Sequence, residues 1–367
     1  MHHLRTALGL HIVALFAGCA STPTAPVEAL SPSAVPAPVA ALLKPKIHIF
    51  ATGGTISGGS SDRMKLSGYK AGAFTIEQML ADVPEVNEVA VVTHEQFRNV
   101  RSGNIGPSDI LALAQLIQKT LTDQPDIAGF VVTHGTGTLE QTAYFLHLTV
   151  RTDKPIVIVG SMRPWSAFGT DAHLNLYNAV RVAAHPESRG KGALVVLNDE
   201  INSARDATKT DTLRVETFTS RESGFLGYAD PDKVVFYRVP EQRHTFKSEF
   251  VIDDVKELPQ VDIVYGYQDA SAAPVAALIA DGAKGIVNAS GSPALTAALR
   301  QAAADGIKIV ASDNKGQGRV LNNPARLAEG IVTGDNLRPQ KARILLQLAL
   351  ACGKTTPEEL QRIFDQY

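Results

Sequence analysis

Short apolar runs alternate with amphipathic stretches along most of the chain. KIHIFAT, EVAVVTH, IAGFVVTH, KPIVIVGS and KGALVVLND are rich in β-branched residues and bounded by polar or glycine-bearing turns, the pattern of buried strands. Residues 75–80, 108–121 and 139–150 carry helical spacing between some of them. This alternation predicts an α/β domain with a mostly parallel sheet. Thr75 with Gln78, Thr138 with Gln141, and Thr356 with Glu359 have the spacing of capping boxes, the last with Pro357 at the first helical position. Beyond about residue 222 the pattern loosens into short strands and an exposed connection. A second βα series follows: VDIVYGY, a helix opening at Pro274, GAKGIVNAS, a helix from Ala294, IKIVASD, and a helical pair from Arg338 onwards. The expected organisation is a larger N-terminal α/β domain over 46–240, a linker over 241–260 and a smaller C-terminal α/β domain over 261–367.

Composition sharpens this picture at the N-terminus. Arg5 precedes an apolar stretch at 7–17, which ends in small residues at Cys19. That is the layout of an export signal over 1–18, and the apolar stretch falls short of the roughly 20 residues needed to span a bilayer. Residues 15–19, LFAGC, resemble the bacterial lipoprotein processing box, in which the cysteine is acylated after cleavage. A plain cleaved signal and an uncleaved anchor are the competing readings. Residues 19–45, dominated by Ala, Pro, Ser, Thr and Val, suit an extended tether. The expectation is an exported, periplasmic protein that meets a membrane only through an N-terminal lipid. With Cys352 the only other cysteine, the mature domain has no intrachain disulfide to draw on.

Charge excludes one class of partner. Thirty-five basic residues stand against 37 acidic ones, giving a net charge of -2, and no basic block offers a footprint for nucleic acid. The ten histidines show no metal-binding spacing such as HExxH, so neither a metal nor a cofactor is expected.

Two strand ends concentrate the candidate chemistry. IFATGGTISGG places Thr55 after a glycine pair, and GFVVTHGTGT runs from a strand into a helix, so that Thr136 and Gly137 lie where backbone N–H groups are unpaired. Taken singly, each reads equally well as an ordinary tight turn. Together with MRPWSAFGTDAHLNLYNAV, RDATKT and PQKARILLQLAL, in this order, they resemble the bacterial-type L-asparaginase family, and more closely its exported (type II) members. The resemblance runs from about Lys46 to Tyr367. The family's first signature is matched in full by residues 49–57, and its second by residues 129–139 except at one position.

The resemblance implies roles for particular residues. Thr55 would be the nucleophile, and Tyr69 would assist it from a mobile loop. Thr136 and Lys209 would form a second catalytic cluster, and Ser102 would hold the substrate's α-carboxylate. A desolvated lysine can serve as the base that a threonine hydroxyl needs before it attacks an amide. An acyl-threonine ester would form, ammonia would leave, and water would release the acid, with backbone N–H groups stabilising the oxyanion. His134 is expected to be structural. The family also implies homotetramers built as dimers of dimers, with each site completed by a neighbouring subunit.

Four departures stand out. Gly137 replaces an aspartate that receives the substrate's α-ammonium, and Gly103 replaces the glutamine after the binding serine. NASGSPALT shortens a glycine- and asparagine-bearing loop, with Ser292 near the asparagine's place. NKGQGRVLNNPAR has no carboxylate between Asp313 and Glu329 where the family supplies a glutamate. The groups for the ammonium are altered while those for chemistry and for the carboxylate remain. The expected activity is hydrolysis of a side-chain amide of asparagine or a related small molecule, with altered ammonium recognition. Two alternatives stand: Glu140 or Asp171 moves into the space at Gly137 and restores a conventional site, or the chain only binds a small carboxylate ligand.

Overall fold

The computed structural model describes residues 44–367. The expected signal at 1–18, Cys19 and nearly all of the tether lie outside the described residues. The larger sheet is built from β1 (Lys46–Gly53), β2 (Val91–Val100), β3 (Ile127–Thr133), β4 (Ile156–Val159), β5 (Ala193–Leu197) and β6 (Glu200–Ser203). A separate two-stranded hairpin, β7 (Thr208–Lys209) with β8 (Phe218–Thr219), follows, and β9 (Gly227–Ala229) and β10 (Val234–Phe236) return to the larger sheet. Its order is β10-β9-β6-β5-β4-β3-β1-β2, parallel from β2 to β5 and antiparallel at the β6, β9 and β10 edge.

Alternation along the central strands explains how this sheet is covered. Ile47, Ile49 and Ala51 of β1 pack with Val131, Val157 and Val159 beneath the helix Ala172–Ala184. The intervening Phe50, with Phe130, Val132, Ile156 and Ile158, faces the helices Pro107–Asp123 and Leu139–Thr149. Both faces are apolar because both are covered. Every residue of Leu139–Thr149 except Gln141 is buried, since this helix is also packed by the later helix Pro339–Ala351.

The smaller sheet is wholly parallel: β11 (Val261–Tyr265), β12 (Gly285–Ala289), β13 (Lys308–Ser312) and β14 (Ile331–Thr333), in that order. The chain is thus a mixed α/β protein with a large N-terminal sheet and a smaller C-terminal one. The stretch 241–260 is not merely a connection, because Phe250 and Ile252 are buried in the main core.

Two local expectations, at EVAVVTH and at Thr138, are corrected. EVAVVTH does not start as strand: Val86–Val89 is a short helix, and the strand runs from Val91 to Val100. The turn after β5 sends β6 back antiparallel through Asn198 and Asp199, both at positive φ. Thr138 forms no capping box with Gln141; its hydroxyl donates to the Ser102 carbonyl at 2.9 Å. Thr75 does form its box with Gln78, and Thr356 accepts from the Glu359 N–H at 3.3 Å.

β1 is the point where the sheet reverses direction of growth, because the chain goes from β1 to β2 on one side and then to β3 on the other. Ligands of open α/β sheets gather in the crevice beyond the carboxyl ends of strands at such a point. Both signature loops leave from there.

Candidate active site

The loops after β1 and β3 touch through backbone. Thr52 Oγ1 donates to the Thr133 carbonyl at 2.9 Å, which holds the two strand ends in register. A Cβ built on Gly54 would lie 2.2 Å from the Gly135 Cα, so only glycines allow this approach. Gly54 also sits at φ +90°, a conformation closed to most side chains. Thr55 and Thr136 each follow one of these touching glycines, so two loops distant in sequence meet immediately before the two threonines.

Each hydroxyl has one close polar partner. Thr55 Oγ1 and Tyr69 Oη are 2.7 Å apart. The loop that brings Tyr69 is tied down by the paired backbone of Gly59 and Lys70, and by the Gly72 N–H on the Gly54 carbonyl at 3.3 Å. Gly58 faces the Tyr69 ring so closely that a Cβ there would lie 2.8 Å from it. Lys209 Nζ donates to Thr136 Oγ1 at 2.8 Å. Burial pushes the Lys209 pKa below its usual value, while the Asp211 and Glu140 carboxylates act in the opposite direction.

Glu140 makes a contact not foreseen from sequence. Its carboxylate, 7 % exposed, accepts the backbone N–H of Lys209 at 2.8 Å and so fixes the lysine's strand against the helix that follows Thr136. A carboxylate in the first turn of a fully covered helix is the signal that could have revealed it. Lys341, from the helix Pro339–Ala351, braces the same segment: its buried ammonium donates to the carbonyls of Arg205 and Ala207 at 2.5 and 2.6 Å. Burial lowers the Lys341 pKa to about 8, with Glu140 and Asp206 opposing the shift.

Ser102 opens a single 3-10 turn after β2, beside the same loop. A Cβ on Gly137 would lie 2.9 Å from its hydroxyl, and one on Gly135 would lie 3.2 Å from it. The structure therefore brings Ser102, Thr136 and Gly137 together, with the Thr138 hydroxyl holding the Ser102 carbonyl. Among the described residues, and apart from its chain neighbours, no other side chain comes within 4 Å of the point where a Cβ on Gly137 would begin, and the corresponding point on Gly103 has no such neighbour within 4 Å.

Neither rival carboxylate fills that space. Glu140 is engaged with Lys209, and Asp171 accepts the N–H groups of Met162 and Arg163, each at 2.9 Å, and the Asn175 amide at 3.0 Å. His134 is fully buried, its Nδ1 within 2.8 Å of the Gly135 carbonyl and its Nε2 within 3.0 Å of the Thr142 hydroxyl. A carbonyl only accepts, so Nδ1 carries a proton, and burial, which lowers the ring's pKa to about 4, favours the neutral form near neutral pH. Ser292 caps the helix Pro293–Ala304 and donates to the Ala270 carbonyl at 2.6 Å, so its hydroxyl is used within the C-terminal unit. Among the described residues no cluster of three histidine, cysteine or carboxylate side chains is placed to hold a metal.

Comparison with known proteins matches this geometry to a family. Residues 46–242 match the family described as Asparaginase, N-terminal, and residues 260–364 match the Glutaminase/Asparaginase C-terminal domain. L-asparaginase 2 of Bacillus subtilis is 44% identical over 364 residues, covering 96% of both chains. Glutaminase-asparaginase of Pseudomonas fluorescens is 43% identical over 330 residues, covering 88% of this chain and 90% of that one. A crystal structure of a probable cytoplasmic L-asparaginase from Campylobacter jejuni superposes with a TM-score of 0.86 at 39% identity, covering 88% of this chain and all of that one. The chain belongs to the asparaginase/glutaminase family of amidohydrolases.

Proposed function

We propose that this enzyme hydrolyses the side-chain amide of asparagine, or of a closely related small molecule, whose α-nitrogen is not a free ammonium. Support for the chemistry comes from one observation above all: the 2.8 Å contact between a half-buried lysine amine and the Thr136 hydroxyl, one residue from the glycine that packs on the Thr55 loop. In this reading Thr55 Oγ1 attacks the amide carbon, and its proton passes to the base, with Tyr69 in contact to assist and Lys209 as the amine made available by burial. The C–N bond breaks as the nitrogen takes up that proton and leaves as ammonia. Water then adds to the threonine ester, gives its proton to the same base, and releases the acid with the Thr55 hydroxyl restored. The N–H groups of the two glycine-bearing loops are the donors available to the oxyanion.

Support for the substrate class comes from what surrounds Gly137 and Gly103. Ser102 is kept for the α-carboxylate, while among the described residues no carboxylate oxygen lies within 4 Å of the Gly137 side-chain position. A charge-assisted hydrogen bond contributes about 1.5–3 kcal/mol. Two fewer would weaken binding of a free amino acid by roughly two to four decades. An N-acylated or peptide-linked asparagine presents a neutral nitrogen and needs no such partner.

Assembly and placement are part of the proposal. A homotetramer built from intimate dimers is what family resemblance supports, and export with lipidation at Cys19 is what the N-terminal layout supports. A relative from Haemophilus influenzae, 42% identical, is named a probable periplasmic L-asparaginase, whereas the Campylobacter jejuni protein is named cytoplasmic. Among the described residues no helix is long and apolar enough to cross a membrane.

The test is ammonia release from asparagine, glutamine and N-acetyl-asparagine by the wild type and by Thr55→Ala. Turnover of at least one amide that Thr55→Ala abolishes supports the reading. Absence of turnover with tight binding of a carboxylate ligand would establish a binding protein instead.

A further inference from the structure

The strand that presents Lys209 is only two residues long, and its hairpin partner β8 is equally short. So short a ladder does little to fix where the lysine backbone sits. The side chain above it has four rotatable bonds, and its 2.8 Å contact with Thr136 Oγ1 persists only where the backbone beneath is held. The anchors must therefore come from outside the hairpin.

Two buried groups of opposite charge supply them. The Lys341 ammonium donates to the carbonyls of Arg205 and Ala207 at 2.5 and 2.6 Å, and the Glu140 carboxylate accepts the Lys209 N–H at 2.8 Å. Only Thr208 lies between the Ala207 carbonyl and that N–H. Among the described residues neither carbonyl has another hydrogen-bond donor. The same turn is tied once more to the segment before Lys341, since Arg205 Nη2 donates to Asn336 Oδ1 at 2.9 Å. The Lys341 ammonium also lies 5.9 Å from the centre of the Tyr144 ring, one turn beyond Glu140 on the helix Leu139–Thr149. That helix opens just after Thr136, so Lys341 stands between the two segments whose spacing sets the Lys209–Thr136 contact.

We propose that Lys341 is a positioning residue for the reaction: by fixing the turn 205–207 it sets the place of the Lys209 amine against Thr136, without touching substrate. The inference rests on the reading of Lys209 as the base. Burying an ammonium consumes most of what its hydrogen bonds return in stability. What remains is direction, because two charged N–H donors aimed at two carbonyls admit one position of the turn. Lys341 lies on the helix Pro339–Ala351, within the match to the C-terminal domain, while Lys209 lies within the N-terminal match. The base carried by one domain is thus set in place by the other.

The experiment compares the wild type with Lys341→Met, Lys341→Gln and Leu299→Ala, the last a cavity variant in the separate C-terminal core cluster. Ammonia release from the best of asparagine, glutamine and N-acetyl-asparagine is measured at a temperature where circular dichroism shows every protein folded. Lys341→Met is unbranched and close in length but has no donor. It should lower kcat at least about 10-fold, because a displacement near 1 Å costs about 100-fold. Its KM should stay within about 3-fold, since Lys341 does not hold the Ser102 and Gly137 loops. Lys341→Gln keeps N–H donors on a shorter stem and should recover part of the lost kcat. Leu299→Ala should unfold at a lower temperature and keep kcat near the wild-type value. Unchanged kcat in the Lys341 variants overturns the proposal, and so does a loss in Leu299→Ala as large as that in Lys341→Met. If Lys341→Met does not fold, the kcat and KM of Lys341→Gln decide by the same criteria. Lys209→Met separates this inference from the reading beneath it. Wild-type kcat in that variant, or a wild type that releases no ammonia, removes the base and the positioning role together; loss of turnover there, with normal kcat in the Lys341 variants, removes the positioning role alone.

Discussion

The Cα of Gly135 lies 2.2 Å from where a side chain on Gly54 would begin. This contact sets the spacing of Thr55 and Thr136, and with it the geometry of everything proposed for the site. Gly54→Ala must push the two loops apart and also strain a residue at φ +90°. The expected cost is about 1–3 kcal/mol of stability. A displacement near 1 Å of either threonine should lower kcat/KM about 100-fold. Urea unfolding and steady-state ammonia release measure the two effects. Near-normal turnover in Gly54→Ala would show that the two loops act independently.

Restoring the missing polar groups should change substrate choice. A side chain at 103 enters open space, and one at 137 meets only the Ser102 hydroxyl, which can rotate. Gly103→Gln with Gly137→Asp supplies partners for an α-ammonium, each contributing about 1.5–3 kcal/mol, or roughly one to two decades. The kcat/KM for free asparagine relative to N-acetyl-asparagine should rise by at least about 10-fold. No change in that ratio would mean the ammonium of a bound amino acid does not point at these positions.

Glu140 is expected to tune Lys209 rather than to touch substrate. Its carboxylate raises the lysine's pKa against the larger lowering effect of burial. Glu140→Gln keeps an acceptor for the Lys209 N–H and removes the charge, so the lysine pKa should fall. If the neutral amine is the base, the rising limb of the rate against pH moves to lower pH. The profile of kcat for wild type and variant checks this, and a limb that stays in place would assign the base elsewhere.

His134 makes folding sensitive to acid. Its pKa is about 4 in the fold, against 6.5 for an ordinary histidine, so the unfolded chain takes up the proton first. Its contribution is complete above pH 6.5 and is lost as pH falls from there through about 4. Within that window it can account for a slope of at most about 1.4 kcal/mol per pH unit. Unfolding by urea at several pH values, with His134→Gln for comparison, isolates the share of this residue. An unchanged slope in the variant would shift the effect to the other buried histidines, His48, His147 and His244, whose pKa values burial also lowers.

Much of this was legible in the chain because it is written in local patterns. Apolar runs ending in glycine and threonine located the strands that lead to Thr55 and Thr136, and Tyr69, Ser102 and Lys209 were pointed to by family resemblance alone. The rest depends on contacts between distant segments. Thr138 has the spacing of a capping box, yet the Ser102 carbonyl, 36 residues away, competes for its hydroxyl and wins. Glu140 looks like a favourable first-turn carboxylate, and only the fold shows that it meets the Lys209 backbone 69 residues on. The antiparallel return at β6 hangs on two non-glycine residues at positive φ, which no hydrophobic period records. The mutual approach of Gly54 and Gly135 is likewise invisible until both loops are placed.

The most direct test of the central claim is the ratio of kcat/KM for N-acetyl-asparagine to that for free asparagine, read as ammonia released by the wild-type enzyme. A ratio well above one, abolished together with all turnover in Thr55→Ala, is what loss of the ammonium partners at Gly103 and Gly137 predicts. A clear preference for the free amino acid would contradict it.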